Sequence, residues 1–276
     1  MAKLAGATGQ QPGDSGWSRT LATSFDAAAT EYARRRPEYP AAAIAAALPA
    51  SPGVVLDLAA GTGKLTGTLL RQGLQVIAVE PLPGMLAELS RGFPGALAVL
   101  GVAEHIPLRG GVVDAVVVGQ AFHWFDADRA LAEIARVLRP AGTLALISNH
   151  DDENDAFVQD LQRALTNIGR PVGGTTGRGT PLRGDVAGTT SGSPVPPFVS
   201  HPSFAAPQLA EFGWQRRQSL PDLIALLHTY SYVIRATPQA RAWLDREVAS
   251  IAGRHFPGGQ DVTIPVICQV WRSQCR

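Results

Sequence analysis

Five short, almost wholly apolar runs punctuate the first half of the chain: Val54–Leu58, Val76–Val79, Ala96–Leu100, Ala115–Val118 and Thr143–Ile147. Unbroken runs of this length, without polar alternation, are the pattern of parallel strands covered on both faces. Between them lie helix-like stretches at Lys64–Gln72, Gly84–Arg91 and Asp126–Leu138. Strand alternating with helix at this spacing predicts an α/β fold, a doubly wound sheet with right-handed crossovers. Ahead of it, FDAAATEYARRRPEY suggests an amphipathic helix opened by Ser24 and stopped before Pro37, and a second helix follows over Ala41–Leu48.

Further on come a helix over Asp155–Ile168 and then GRPVGGTTGRGTPLRGDVAGTTSGSPVPPF, too rich in Gly, Thr, Ser and Pro to pack. Leu209–Leu220 carries a strand around Trp214, helices follow at Pro221–Ile234 and Pro238–Ile251, and Val262–Trp271 is a strand pattern that Pro265 places toward an edge. These elements divide the chain into a flexible leader over 1–20 and a single domain over 21–276. That domain has N-terminal helices over 21–50, a cofactor-binding core over 51–168, a flexible lid over 169–207, and C-terminal helices with an edge strand over 208–276.

Composition narrows the function classes. The 276 residues carry 24 basic and 23 acidic side chains, a formal charge of +1, which offers no net attraction to nucleic acid or an anionic membrane. Two cysteines, Cys268 and Cys275, exclude a disulfide framework and a four-cysteine zinc site, and Cys268 within a strand pattern reads as a small buried hydrophobe. No run approaches the ~18 apolar residues of a membrane span, and the N-terminus lacks the apolar segment of a signal peptide. A soluble, cytoplasmic protein, monomer or homodimer, is expected. No His-Glu-x-x-His, carboxylate cluster or Gly-x-Ser-x-Gly points to a metal or a hydrolase.

The chemistry concentrates at Val54-Val55-Leu56-Asp57-Leu58-Ala59-Ala60-Gly61-Thr62-Gly63-Lys64-Leu65-Thr66. A strand entering a tight small-residue turn and then a helix leaves backbone N–H groups facing a ligand at the carboxyl edge of the sheet. The next strand ends in Glu80, followed by Pro81; an acid there can accept both hydroxyls of an adenosine ribose. Counted from Gly61 the glycines would have to recur at 63 and 66, but residue 66 is Thr, so the dinucleotide spacing fails.

Asp57-x-Ala59-x-Gly61-x-Gly63 resembles instead the first motif of class I S-adenosylmethionine-dependent methyltransferases, acidic-x-Gly-x-Gly-x-Gly, with Ala59 in place of the first Gly. Four further segments follow in the family's order. They are Val79-Glu80-Pro81; Gly101-Val102-Ala103-Glu104-His105-Ile106-Pro107-Leu108, similar to the adenine-side segment; Asp114–Val118; and Ile134–Gly142. The resemblance covers about residues 54–149. It implies a Rossmann-like, mostly parallel seven-stranded sheet with a final antiparallel strand at Val262–Trp271, and S-adenosyl-L-methionine as cofactor. Many relatives carry Asp where this chain has Val102, so adenine would rest near Ala103 and Glu104, while Gln120 would touch the methionine moiety.

Gln120-Ala121-Phe122-His123-Trp124-Phe125-Asp126 and Tyr32-x-x-x-Arg36-Pro37-x-Tyr39-Pro40 resemble the trans-aconitate methyltransferase-like branch, whose members methylate small molecules on oxygen. That resemblance implies that Tyr32, Arg36 and Tyr39 close over the cofactor, with Arg36 pairing its carboxylate. It also implies a small-molecule acceptor: a carboxylic acid, or the hydroxyl of a sugar, lipid or polyketide. Phe122, Trp124 and His150 would lie on the acceptor side. His123 is either a general base for a hydroxyl acceptor or a packed, positioning histidine. Two other functions fit parts of the pattern, a non-catalytic cofactor-binding module and a nicotinamide-dependent oxidoreductase.

Overall fold

In the computed structural model the residues described are 38–168, 196–259 and 261–276. The leader, the helix expected from Phe25 as far as residue 37, with Tyr32 and Arg36, and residues 169–195 of the expected lid lie outside them. Strands β1 (Val54–Leu58), β2 (Gln75–Glu80), β3 (Leu97–Leu100), β4 (Val113–Gly119), β5 (Leu138–Asp151), β6 (Gln208–Ser219) and β7 (Asp261–Gln274) form one sheet in the order β3-β2-β1-β4-β5-β7-β6. The first five pair in parallel, whereas β7 is antiparallel to both β5 and β6. The mostly parallel seven-stranded α/β sheet is therefore as expected.

Helices cover both faces. α1 (Ala41–Ala47) and α2 (Lys64–Arg71) lie on one, where Ala43, Ile44, Leu65 and Leu69 pack on Val55, Ala115, Val117, Ala145 and Ile147. α3 (Pro83–Gly92) follows β2, and α4 (Ala127–Val137) covers the other face, burying Ala130, Leu131 and Ile134 against Leu56, Val116, Val118 and Leu144. Because successive strand residues point to opposite faces, β5 sends Leu144 to one layer and Ala145 to the other, which is why its central run has no polar alternation.

Two expectations need correction. Val262–Trp271 is not an edge strand: β7 lies between β5 and β6, and β6 is the edge. Pro265 is tolerated there because β5 has already ended. The last β5–β7 pair is Asp151↔Val266, and the Pro265 carbonyl accepts the Asp152 N–H, so the missing N–H falls just past the end of the β5 ladder. Likewise, residues 196–207 of the expected flexible lid are docked. Phe198 and Phe204 are fully buried in the α4-side core, Phe204 bridges to Cys275, and the Ala205 N–H donates to the Gln274 carbonyl. Since Gln274 pairs near Thr143 at the start of the central β5 run, this segment lies at the amino edge of the parallel strands, away from the glycine turn. Two large aromatic side chains outweigh the loop-like composition that precedes them.

Above the carboxyl edge, β7 runs five residues past Asp151, Asp261–Pro265, an overhang of ~17 Å at about 3.3 Å per residue. On it pack α5 (Ala156–Asn167), α6 (Leu220–Leu227), α7 (Ser231–Ile234) and α8 (Pro238–His255), with Phe157, Leu161, Leu223, Leu244, Val248 and Ile251 closing over Val262, Ile264 and Val266. This helical layer lies beyond the carboxyl edge of the parallel strands, at the β7–β6 end of the sheet.

Candidate functional site

The site begins where β1 runs into α2. Ala59 and Gly61 both have φ of 57°, and Gly63, the residue before the helix, has φ of 89°. Such left-handed turns suit glycine and cost a residue with a Cβ about 1 kcal/mol or more. Alanine at 59 therefore carries strain that the family's usual glycine avoids. A Cβ on Gly61 would meet nothing closer than the Met85 sulfur at 3.9 Å, so its open backbone can receive a ligand. Gly63 and Gly67 are small for another reason: Cβ atoms there would lie 2.6 and 2.3 Å from the Phe93 ring, which wedges between α2 and the chain after α3.

The two acids of the motif separate by what they hold. Glu80 sits at the turn: its Oε2 accepts the Gly61 N–H at 2.8 Å and its Oε1 the Leu82 N–H at 3.0 Å. A carboxylate has about four lone-pair positions, so ribose hydroxyls can share both oxygens. Asp57 is instead turned beneath the helix, where its Oδ2 accepts the Thr66 hydroxyl at 2.6 Å. Beside the cofactor role expected for it, Asp57 thus supports α2 under the glycine turn.

Burial raises the Asp57 carboxyl from 3.8 to about 7, with the nearby Glu80 charge adding to the rise and the hydrogen bonds from Thr66 opposing it. Between about pH 4 and 7 the folded chain keeps a proton that the unfolded chain releases, so stability falls as pH rises through that window and levels off above it. Asp57→Asn keeps an acceptor for Thr66 without the charge. It is expected to come close to the parent near pH 4 and to exceed it by a few kcal/mol at pH 8. Urea unfolding at both pH values checks this, and an equal stability difference at the two would show that Asp57 titrates normally.

In the segment expected to lie beside adenine, Ala103 is buried and Val102 bridges to His105 in a tight turn. Glu104 does structural work here: Oε1 accepts the Asp126 N–H at 2.9 Å, tying this turn to the start of α4, while Oε2 is buried with no hydrogen-bond partner among the described residues. The turn is further clamped by α4. Glu133 accepts the Ile106 N–H at 2.8 Å, and Arg136 donates to the Ile106 and Leu108 carbonyls. The Arg136 hydrogen bond holds the Glu133 carboxyl below its usual range. This clamp escaped sequence reading because Ile106 and Glu133 are 27 residues apart and look like ordinary loop and surface positions.

At the end of β4, Gln120 has φ of 58°, strained for a residue with a side chain, and its amide donates to the Asn149 carbonyl at 3.1 Å. Phe122, His123 and Trp124 form one 3-10 turn. Phe122 packs on the α4-side core while His123 is exposed, its ring 4.7 Å from that of Trp124. In register, Gly119 pairs Ile147, so β5 continues past β4 with Ser148 and His150 on the α4 side; His150 Nε2 lies 2.7 Å from the Ser148 hydroxyl. His123 thus sits on the turn that leaves β4, while His150 lies near the end of the neighbouring strand β5, in the stretch that outruns β4. Pro81 is half-buried in the turn into α3.

Other polar side chains have structural work. Arg216 pairs Asp151 at 3.3 Å where β5 ends, and Tyr230 and Tyr232 pack on the overhang's core. Burial pushes the Cys268 thiol up to about 12, so it stays protonated and is no nucleophile. Among the described residues there is no group of three His, Cys, Asp or Glu that could hold a metal ion, and no helix long and apolar enough to cross a membrane.

The residues present fit an S-adenosyl nucleoside: an open glycine turn, a carboxylate at the end of β2 for vicinal hydroxyls, and a buried turn beside it for a flat base. Comparison with known proteins agrees. The methyltransferase-domain family model matches residues 56–146. An uncharacterized methyltransferase of Mycobacterium tuberculosis is 49% identical over 154 residues, 56% of this chain and 63% of that protein, so the chain spans less than two thirds of that relative. A demethylmenaquinone methyltransferase of Mycolicibacterium paratuberculosis is 34% identical over 168 residues, 56% of this chain and 72% of that protein. A solved structure from Anaeromyxobacter dehalogenans, provisionally designated a type II methyltransferase, is similar with a TM-score of 0.64 at 25% identity, covering 87% of this chain and 97% of that one. With its motif, sheet order and relatives in agreement, the chain belongs to the class I S-adenosylmethionine-dependent methyltransferases, and S-adenosylmethionine is its cofactor.

Proposed function

We propose that this chain transfers the methyl group of S-adenosylmethionine to an oxygen of a small molecule, a carboxylate or a hydroxyl, and that it falls in the trans-aconitate methyltransferase-like branch. The observation that carries the reading is the aromatic turn after β4, where His123 is exposed beside Trp124, next to the overrunning end of β5, where His150 is bonded to Ser148. When bound, S-adenosylmethionine supplies an electrophilic methyl on a sulfonium, open to in-line attack. The chain has to hold the acceptor in line and exclude water. Glu80 and the Gly61–Gly63 turn fix the nucleoside, and Trp124 with the helical layer on the overhang walls the acceptor. For a hydroxyl acceptor, His123 takes the proton that leaves as the new bond to carbon forms; a carboxylate acceptor needs no base. Tyr32 and Arg36 are assigned to the cofactor on the resemblance alone.

The reading is tested by incubating the purified chain with methyl-labelled cofactor and a panel of small carboxylic acids, phenols and alcohols. Label in an ester or ether of one acceptor is expected. Calorimetric binding of S-adenosylmethionine without transfer to any acceptor would favour a non-catalytic binding module. Binding of a nicotinamide cofactor in its place would overturn the assignment.

A further inference from the structure

A buried amide at the end of β5 joins three parts of the chain that are distant in sequence. The Asn149 side chain is engaged at both ends: Nδ2 donates to the Glu38 carbonyl at 3.2 Å, and Oδ1 accepts the Trp214 indole N–H at 3.3 Å. Its backbone carbonyl accepts the Gln120 side-chain amide at 3.1 Å. The strap at Glu38–Tyr39, the strained turn after β4 and strand β6 therefore meet at one residue.

The strap lies where the cofactor site is built. Tyr39 approaches β4 so closely that a Cβ on Gly119 would be 2.8 Å from its hydroxyl oxygen, and Leu65, in the first turn of α2, would be 3.3 Å from the same point. Strap, β4 end and glycine-turn helix converge there. A second tether, the Arg71–Glu38 ion pair at 2.8 Å, has both side chains 56% exposed and so adds little. The buried tether is the Asn149 amide, 8% exposed, whose loss would leave the Glu38 carbonyl without its donor.

We infer that Asn149 is a positioning residue: by holding Glu38–Tyr39 against Gly119 and taking the Gln120 amide on its carbonyl, it sets the affinity for S-adenosylmethionine. The inference rests on the cofactor site and leaves the identity of the acceptor aside. A residue that only stabilised the fold would lower the melting temperature without moving cofactor affinity, and two single substitutions separate these roles. Asn149→Asp keeps an acceptor for Trp214 and replaces the donor to Glu38 with a carboxylate oxygen, which repels the carbonyl. Trp214→Phe removes the other bond and leaves the strap tethered.

Calorimetric titration with S-adenosylmethionine, alongside thermal unfolding, is the measurement. Asn149→Asp is expected to raise the cofactor Kd about tenfold, the equivalent of one lost net hydrogen bond. Trp214→Phe is expected to lower the melting temperature and leave Kd within about twofold. An unchanged Kd in Asn149→Asp, or equal Kd losses in the two variants, overturns the inference. A parent chain that binds no S-adenosylmethionine overturns the cofactor site itself, a distinct failure. Should Asn149→Asp not fold, Asn149→Ser, too short to reach both partners, carries the same expectation and is overturned by the same unchanged Kd.

Discussion

Glu80→Gln is expected to weaken S-adenosylmethionine binding by about two orders of magnitude or more. In the structure both carboxylate oxygens already receive backbone N–H groups, from Gly61 at 2.8 Å and Leu82 at 3.0 Å. A glutamine offers one acceptor and one donor, so its NH2 meets one of those N–H groups head-on and the turn has to shift. Of the two charge-assisted hydrogen bonds expected from ribose hydroxyls, one is lost and the other loses its charge; at ~1.5–3 kcal/mol for a charged bond and about half that for a neutral one, this amounts to about a hundredfold in affinity. Calorimetry gives the affinity, and a Kd within about threefold of the parent would mean that the ribose is held elsewhere. A second readout is independent of the ligand: since the Glu80 charge helps to raise Asp57, the substitution should bring the Asp57 titration down from about 7.

His123→Ala separates the two classes of acceptor. For a hydroxyl, whose proton has to leave as the methyl arrives, the loss of a positioned base lowers kcat by about 10² to 10⁴. For a carboxylate, already ionised at neutral pH, the expected change is less than about threefold. His123 suits a base because its ring is exposed on the 3-10 turn and lies beside the Trp124 ring. If the chosen substrate is an alcohol or phenol and the variant retains full turnover, His123 is a positioning residue. The corresponding change at His150, bonded to Ser148, then becomes the test of the base.

Much of the site is legible in the sequence because it is local. The left-handed turn at Ala59, Gly61 and Gly63, the acid closing β2 and the aromatic turn after β4 each lie within a few residues, and their spacing encodes the backbone path. What escaped is long-range. Nothing at residue 66 announces that its hydroxyl will hold Asp57, nor at 93 that a phenylalanine will demand glycine at 63 and 67. The clamp from Glu133 and Arg136, and the Asn149 hub, escaped for the same reason: single polar residues in a strand or on a helix carry no period. Pro265 misled because a proline rule written for edge strands also admits an interior strand whose neighbour has stopped.

By itself the sequence determined the element order, the parallel core and the cofactor turn, since apolar runs of period-free strands and a glycine turn depend only on neighbours along the chain. The tertiary structure alone decided that Asp57 faces inward while Glu80 meets the turn, that β7 is interior, and that Phe198 and Phe204 dock at the amino edge. It also decided that the layer above the carboxyl edge is built on the β7 overhang from α5 to α8. These choices are made by burial and by hydrogen bonds between residues more than a hundred positions apart, and only the packed chain brings such partners within reach.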